Sequence, residues 1–74
     1  MQKEAETFGK RLQRMRERRG ISRRVLSELC GLSKNRISMY ERGEAEPNFA
    51  SLVALADFFE VSIDYIACRT DKRE

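Results

Sequence analysis

Apolar residues recur at helical spacing in several separate segments of the chain, and no segment alternates as a strand does. In the first segment Phe8, Leu12 and Met15 stand at i, i+4 and i+7, which places them on one face of a helix. This helix is predicted to run from about residue 7 to residue 19 and to end at Gly20. The pattern is typical of an all-α protein.

Two further helices follow, joined by a turn at residues 30–32. Ser22 is predicted to cap the second helix, because its hydroxyl can accept a hydrogen bond from a first-turn backbone N–H. Gly31 ends that helix with the left-handed backbone that glycine adopts at low cost. Ser33 is predicted to cap the third helix and Gly43 to end it. The second helix carries an apolar stripe formed by Val25, Leu26, Leu29 and Cys30.

The rest of the chain is predicted to form a loop, two more helices and a polar tail. Pro47 precedes a fourth helix capped by Asn48, and Ser62 caps a short fifth helix with Ile63 and Ile66. The tail is expected to fray from residue 69. The fourth helix is the most apolar and is expected to be the centre of the core, through Phe49, Leu52, Val53, Leu55, Ala56 and Phe59. We therefore predict one compact five-helix domain over residues 1–74, ordered from about 7 to 68.

The junction of the second and third helices has a specific steric pattern. Ser27 is a small residue where the two helices would cross, Gly31 makes the turn, and Ile37 fills the space between the helices beside Tyr40. The hydroxyl of Ser27 is expected to bond to a carbonyl of its own helix. Two helices joined by so short a turn are one known way to present a helix end to the major groove of DNA.

Charge is distributed unevenly along the chain. Residues 1–43 hold twelve Lys and Arg and five acids, whereas residues 44–74 hold three bases and seven acids. A polyanion would be attracted to the first half. A solvated helix face is the alternative explanation for the basic run at 14–19, but it does not explain why the bias coincides with the helix-turn-helix.

Composition argues against enzymatic and metal chemistry. The chain has no histidine and two cysteines, Cys30 and Cys68, too few for a four-ligand zinc site and without an imidazole base for a thiol nucleophile. We expect no enzyme activity, metal or cofactor. The polar N-terminus is unlike a secretory signal, and no apolar run is long enough to span a membrane. We therefore expect a cytoplasmic protein with reduced thiols.

Motifs along nearly the whole chain resemble those of one family. They comprise the Ser27, Gly31 and Ile37 pattern, Arg16, the Tyr-Glu-Arg-Gly run at 40–43, Pro47, the Leu-Val-Ala-Leu-Ala run at 52–56 and the Val-Ser-Ile-Asp-Tyr run at 61–65. Together they are similar to the Cro and phage-repressor type of helix-turn-helix, also called Xre-like. The resemblance implies a lambda-repressor-like DNA-binding domain, with helices 2 and 3 as the helix-turn-helix and helix 3 as the recognition helix.

The resemblance also implies roles for particular residues. Base contacts are expected from the start of the recognition helix and one turn later, at Lys34, Asn35, Ser38 and Met39. Lysine can donate to guanine, asparagine can pair with adenine, and methionine can pack on a thymine methyl. Phosphate contacts are expected from Arg23, Ser33, Arg36 and Arg42.

Two further roles concern assembly of the domain and of a dimer. Arg16 and Glu41 are expected to form an ion pair that joins the first helix to the recognition helix; the alternative is two unrelated surface charges. The C-terminal part is where relatives dimerise. Candidate dimer contacts are therefore Phe58, Val61, Ile63, Tyr65 and Ile66, unless they are simply core residues.

Three departures from the family pattern bear on function. The loop after Gly43, often basic in relatives, contains Glu44 and Glu46, which should weaken DNA affinity or move phosphate contacts elsewhere. Glu60 stands where glycine commonly ends the fourth helix. Val25 and Leu29 are apolar at often polar positions, either to extend the core under the first helix or to form a partner surface.

The resulting hypothesis is a transcriptional regulator that binds double-stranded DNA sequence-specifically. It would act as a homodimer on a pseudo-palindromic operator with half-sites roughly 10 bp apart, most simply as a repressor of a prophage or mobile element. The alternative is an antitoxin-like module that binds a protein partner and only secondarily DNA.

Overall fold

The computed structural model describes residues 6–72 and contains five helices and no strand within that range. The helices are α1 (Phe8–Arg19), α2 (Arg23–Cys30), α3 (Lys34–Arg42), α4 (Phe49–Phe59) and α5 (Ile63–Ile66). The predicted all-α, lambda-repressor-like fold is confirmed, with α2 and α3 as the helix-turn-helix. None of these helices is both long and apolar enough to cross a membrane.

The helix starts follow the capping residues in the sequence. Side chains of Thr7, Ser22, Asn48 and Ser62 each accept a hydrogen bond from a first-turn backbone N–H at 2.8–3.2 Å. Ser33 occupies the same position before α3, but its side chain forms no capping hydrogen bond. The prediction of a Ser33 cap is therefore right for the position and wrong for the hydroxyl.

The first four helices end in the left-handed backbone conformation. Gly20, Gly31 and Gly43 adopt it after α1, α2 and α3, with φ of 67–76°. Glu60 adopts it after α4 with φ 58°. The turn after α4 therefore has the same geometry as the glycine turns, although the side chain of Glu60 makes this conformation less favourable than it is for glycine.

The core lies where all five helices meet. Its buried apolar residues are Leu12, Met15, Leu26, Ile37, Tyr40, Leu55, Ala56, Phe59, Tyr65 and Ile66. The prediction for α4 was wrong at Phe49, which is 71% exposed. Phe49 is the first residue of α4, and the buried face of that helix consists of Ser51, Leu55, Ala56 and Phe59.

Tight packing surrounds the helix-turn-helix on two sides. Ser27 on α2 is buried, and its hydroxyl donates to the carbonyl of Arg23 in the same helix at 2.8 Å, as predicted. On the other side, Gly9 lies against the C-terminal end of α3. A β-carbon at Gly9 would overlap the carbonyl oxygen of Tyr40 and lie 2.9 Å from that of Glu41. The first helix can therefore approach α3 this closely only with glycine at residue 9.

The segment after α5 is held against α1 by a buried arginine. Arg11 donates to the carbonyl oxygens of Tyr65 at 2.6 Å and Thr70 at 2.8 Å, and to a carboxylate oxygen of Asp71 at 2.9 Å. Its guanidinium carbon also lies 4.2 Å from the centre of the Tyr65 ring. These bonds connect the tail to α1 as far as Asp71, and its fraying from residue 69 stays a prediction.

Candidate nucleic-acid interface

The N-terminal turn of α3 is exposed to solvent. Leu26 and Ile37 are fully buried between α2 and α3, so the opposite face of α3 points away from the core. Lys34, Asn35 and Arg36 are exposed. The predicted base and phosphate contacts in this turn are thus free to meet a ligand from outside.

The second turn of α3 is less accessible than the first. Ser38 and Met39 are half-buried. The hydroxyl of Ser38 accepts a hydrogen bond from Arg42. Of the four predicted base contacts, Lys34 and Asn35 are therefore the two that are open to solvent.

A buried carboxylate joins the first three helices. The side chain of Glu41 on α3 is 2% exposed and accepts hydrogen bonds from Arg16 Nε at 2.7 Å and Arg16 Nη2 at 3.3 Å. Arg16 also donates to the carbonyl of Ile21 at 2.9 Å. The structure thus brings Arg16 and Glu41 together in a nearly buried, two-bond ion pair. Breaking such a pair from one side leaves an uncompensated buried charge.

The second partner of Glu41 is Arg23, a predicted phosphate contact. Arg23 Nε donates to Glu41 Oε1 at 2.8 Å, while the Arg23 side chain stays 48% exposed. A guanidinium has five N–H donors, and this bond uses only one of them. Glu41 therefore orients Arg23 and leaves its terminal nitrogens for another acceptor.

Arg42, another predicted phosphate contact, is bound differently. Its Nε and Nη2 donate to the two carboxylate oxygens of Glu44 at 3.0 and 2.9 Å, and its Nη1 donates to Ser38. Hydrogen bonds from Arg42 lower the pKa of Glu44, so this carboxylate is charged at neutral pH. The acidic loop is thus in direct contact with the recognition helix, through Glu44.

The dimer candidates divide into two groups. Tyr65 and Ile66 are buried in the core of the chain itself, Tyr65 beneath the Arg11 guanidinium. This corrects the prediction for those two side chains, because neither offers surface to a second copy. Phe58, Val61 and Ile63 are half-buried and retain accessible area.

The apolar pair on α2 faces solvent. Val25 is 38% exposed and Leu29 is 61% exposed, so the suggestion that they extend the core under the first helix is wrong. Cys30, the last member of the stripe, is half-buried with its sulfur 3.9 Å from the carbonyl oxygen of Ala54. Burial raises the pKa of the thiols of Cys30 and Cys68 above the ordinary value, which favours their neutral form.

Two residues that position α1 and the C-terminal segment, Arg11 and Glu6, entered the sequence prediction only as charges within residues 1–43. Glu6 accepts a hydrogen bond from Arg14 Nε at 2.8 Å and one from Arg11 Nε at 2.8 Å. The bond from Arg14 contributes most to lowering the pKa of Glu6, which falls to about 2. Arg11 is spaced i+3 from Phe8 and i−4 from Met15, so its position on the apolar face was the available signal.

The arrangement of two short helices around a sharp turn, with a polar, exposed recognition-helix end, defines a helix-turn-helix protein. The Helix-turn-helix family model matches residues 12–66 of this chain. The chain belongs to that family, and its relatives include phage repressors of the Cro and Xre-like type.

The relatives that the chain matches are bacterial and phage regulators. It is 36% identical over 59 residues to repressor protein C2 of Salmonella phage P22, covering 80% of this chain and 27% of that protein. It is 32% identical over 59 residues to the SPbeta prophage-derived uncharacterized HTH-type transcriptional regulator YonR of Bacillus subtilis, covering 80% of this chain and 55% of YonR. The chain thus spans about half the length of YonR and about a quarter of C2.

Solved structures agree with the sequence relatives. The P22 c2 repressor, crystallised with a synthetic operator, superposes with a TM-score of 0.79 at 34% identity, over 82% of this chain and 92% of that one. The DNA-binding domain of SinR from Bacillus subtilis superposes with a TM-score of 0.75 at 27% identity, over 80% and 87%.

Proposed function

We propose that this chain is a sequence-specific DNA-binding transcriptional regulator, acting as a repressor on a pseudo-palindromic operator, with no catalytic role. The observation that carries the proposal is the exposed first turn of α3, where Lys34 and Asn35 project from a helix fixed by the buried Arg16–Glu41 pair. DNA recognition needs such rigidity, because base contacts discriminate only when the side chains are held in register.

The proposed contacts divide by chemistry. Lys34 and Asn35 would contact base edges in the major groove, with Ser38 and Met39 reached one turn deeper. Arg23 and Arg36 would bind the flanking phosphates, and Arg23 is already oriented for this by Glu41. The side chain of Ser33 forms no capping bond to α3, although the N–H of Arg36 donates to the Ser33 carbonyl at 3.0 Å. The positive end of the helix dipole would favour a phosphate there.

The proposed active form is a homodimer that works in the cytoplasm. One recognition helix reads few base pairs, whereas two copies related by a two-fold axis read two half-sites roughly 10 bp apart. Phe58, Val61 and Ile63 supply the half-buried apolar surface for such a contact.

Selection of binding sites from random double-stranded DNA tests this function. The expected result is enrichment of one inverted repeat with half-sites roughly 10 bp apart. Enrichment of a single unrepeated half-site would contradict the dimer. Recovery of unenriched DNA at low salt would contradict sequence-specific binding altogether.

A protein-interaction module is the second candidate, favoured by Leu29 and Val25 on the solvent face of α2. Under this hypothesis an equimolar protein partner would co-purify with the chain, and Leu29→Gln would abolish that binding. Under the first hypothesis the same substitution leaves operator affinity unchanged, since Leu29 is not among the proposed DNA contacts.

A further inference from the structure

Arg42 at the end of the recognition helix has its hydrogen-bonding capacity directed to the protein itself. Glu44 accepts from Nε and Nη2 through both carboxylate oxygens, a two-bond arrangement that resembles how arginine binds a phosphate. The Nη1 group is bound to Ser38 on α3. A phosphate approaching Arg42 along the Nε–Nη2 edge would therefore meet a carboxylate already in place.

Arg23 in the same structure is bound to a carboxylate through one nitrogen only. Its Nε donates to Glu41, whose charge is already balanced by Arg16, and its terminal nitrogens remain available to a phosphate. Arg42 and Glu44 instead form an isolated, exposed one-to-one pair, with side chains 56% and 53% exposed. The carboxylate beside Arg23 positions that arginine, whereas the carboxylate beside Arg42 occupies it.

We propose that Glu44 is an intramolecular competitor for the DNA phosphate that Arg42 would bind, and that it holds operator affinity below what the helix-turn-helix could reach. The inference rests on the proposed function, since it concerns the same DNA interface. The bond from Arg42 Nη1 to Ser38 does not use the contested edge, so it can keep Arg42 in place while a phosphate replaces Glu44.

A matched pair of substitutions tests this competition. Glu44→Gln removes the charge that binds Arg42, and Glu46→Gln removes the same charge two residues later in the same loop, from an exposed side chain. Operator affinity would be measured for both variants and the wild type by fluorescence anisotropy, using the duplex recovered by site selection, over a series of salt concentrations. Thermal melts would verify that all three proteins are folded.

Competition predicts that Glu44→Gln tightens operator binding about two- to fivefold at low salt, since an exposed pair is weak. The slope of log affinity against log salt should steepen by about 0.9, the value for one additional neutralised phosphate. Glu46→Gln should leave the slope unchanged. Equal gains from both variants would overturn the proposal, because simple charge repulsion of DNA would then explain them.

A double substitution separates competition from repulsion a second time. In an Arg42→Gln background, Glu44→Gln should give no gain in affinity, because the contested arginine is absent. A gain that persists in this background would overturn the proposal while leaving the DNA-binding function intact. Failure of the wild type to bind any selected duplex would instead overturn the proposed function itself, so the two failures are distinguishable.

Discussion

Two buried arginines of α1 connect that helix to different parts of the molecule. Arg16 joins it to the recognition helix through Glu41, a carboxylate that is itself 2% exposed. Arg11 joins it to α5 and the segment after α5, through the carbonyls of Tyr65 and Thr70 and through Asp71, whose side chain is 97% exposed. Two arginines five positions apart therefore differ in their partners: Arg16 forms a buried ion pair, whereas Arg11 binds carbonyl groups and a solvent-exposed acid.

The difference teaches where stability and function are linked. On the Arg16 side both charges are removed from water, so the loss of Glu41 leaves the Arg16 charge buried without its carboxylate. The Arg11 side combines two neutral carbonyl acceptors with two acids, Glu6, which is 27% exposed, and Asp71, which water already solvates. We expect removal of a carboxylate to cost less on the Arg11 side than on the Arg16 side.

The largest effect is expected from Glu41→Ala. This change leaves Arg16 buried without its carboxylate, which costs about 3–5 kcal/mol for a buried pair broken from one side. Denaturant unfolding measures the change in the free energy of unfolding. A loss below about 0.5 kcal/mol, typical of a surface substitution, would show that the pair contributes nothing. Arg23→Met is the matched control and should cost less, because Arg23 is half-exposed.

Replacing Arg11 with methionine should have the next largest effect. Methionine keeps the length and apolar volume of the side chain, but the carbonyls of Tyr65 and Thr70 lose their donor. We expect a loss of about 2–3 kcal/mol in the free energy of unfolding, with operator affinity unchanged below the melting temperature. A large loss of DNA affinity in the folded variant would break the separation of the two regions.

Acid should weaken the Arg11 side through Glu6. Its pKa is lowered from 4.5 to about 2 by hydrogen bonds, from Arg14 first. A carboxylate with a depressed folded-state pKa stabilises the protein above its unfolded pKa, and this contribution is lost as pH falls from about 4.5 to 2. In Glu6→Gln, the loss of unfolding free energy between about pH 4.5 and 2 should be about 1 kcal/mol smaller than in the wild type. The difference is modest because Glu6 is partly solvated. Thermal melts at stepped pH would measure it, and identical pH profiles for variant and wild type would contradict the prediction.

The smallest effect is expected from Asp71→Asn. Because the Asp71 side chain is almost fully exposed, losing its charge should change the free energy of unfolding by less than about 0.5 kcal/mol. Denaturant unfolding is again the measurement. A loss comparable to that of Glu41→Ala would show that the two regions do not differ in the way proposed.

Much of the fold could be predicted from local signals. Ser22, Asn48 and Ser62 mark helix starts, and Gly20, Gly31 and Gly43 mark helix ends, because capping and left-handed turns depend on residues close in sequence. The anchoring role of Arg11 could not be predicted in this way, since the two carbonyl groups that it binds lie more than fifty residues away. Phe49 was misassigned because its apolar character is the same whether or not a neighbouring helix covers it.

The sequence could predict which residues belong to the candidate site, but not which hydrogen bonds their side chains form. The sequence indicated Arg23 and Arg42 equally as phosphate contacts, yet the carboxylates beside them differ in burial and in the bonds they accept. That distinction depends on side-chain geometry at the end of α3, where the chain turns and brings Glu44 back to Arg42.

The most direct test of DNA recognition by α3 is the ratio of affinities for the selected operator and for a shuffled duplex. Anisotropy titrations would measure this ratio for the wild type, for Asn35→Ala and for Arg24→Ala, a control on the exposed face of α2. We predict a high ratio for the wild type and for Arg24→Ala, and a ratio lowered about 5- to 100-fold by Asn35→Ala, since one bidentate base contact accounts for that discrimination. A wild-type ratio near one, or an undiminished ratio for Asn35→Ala, would contradict it.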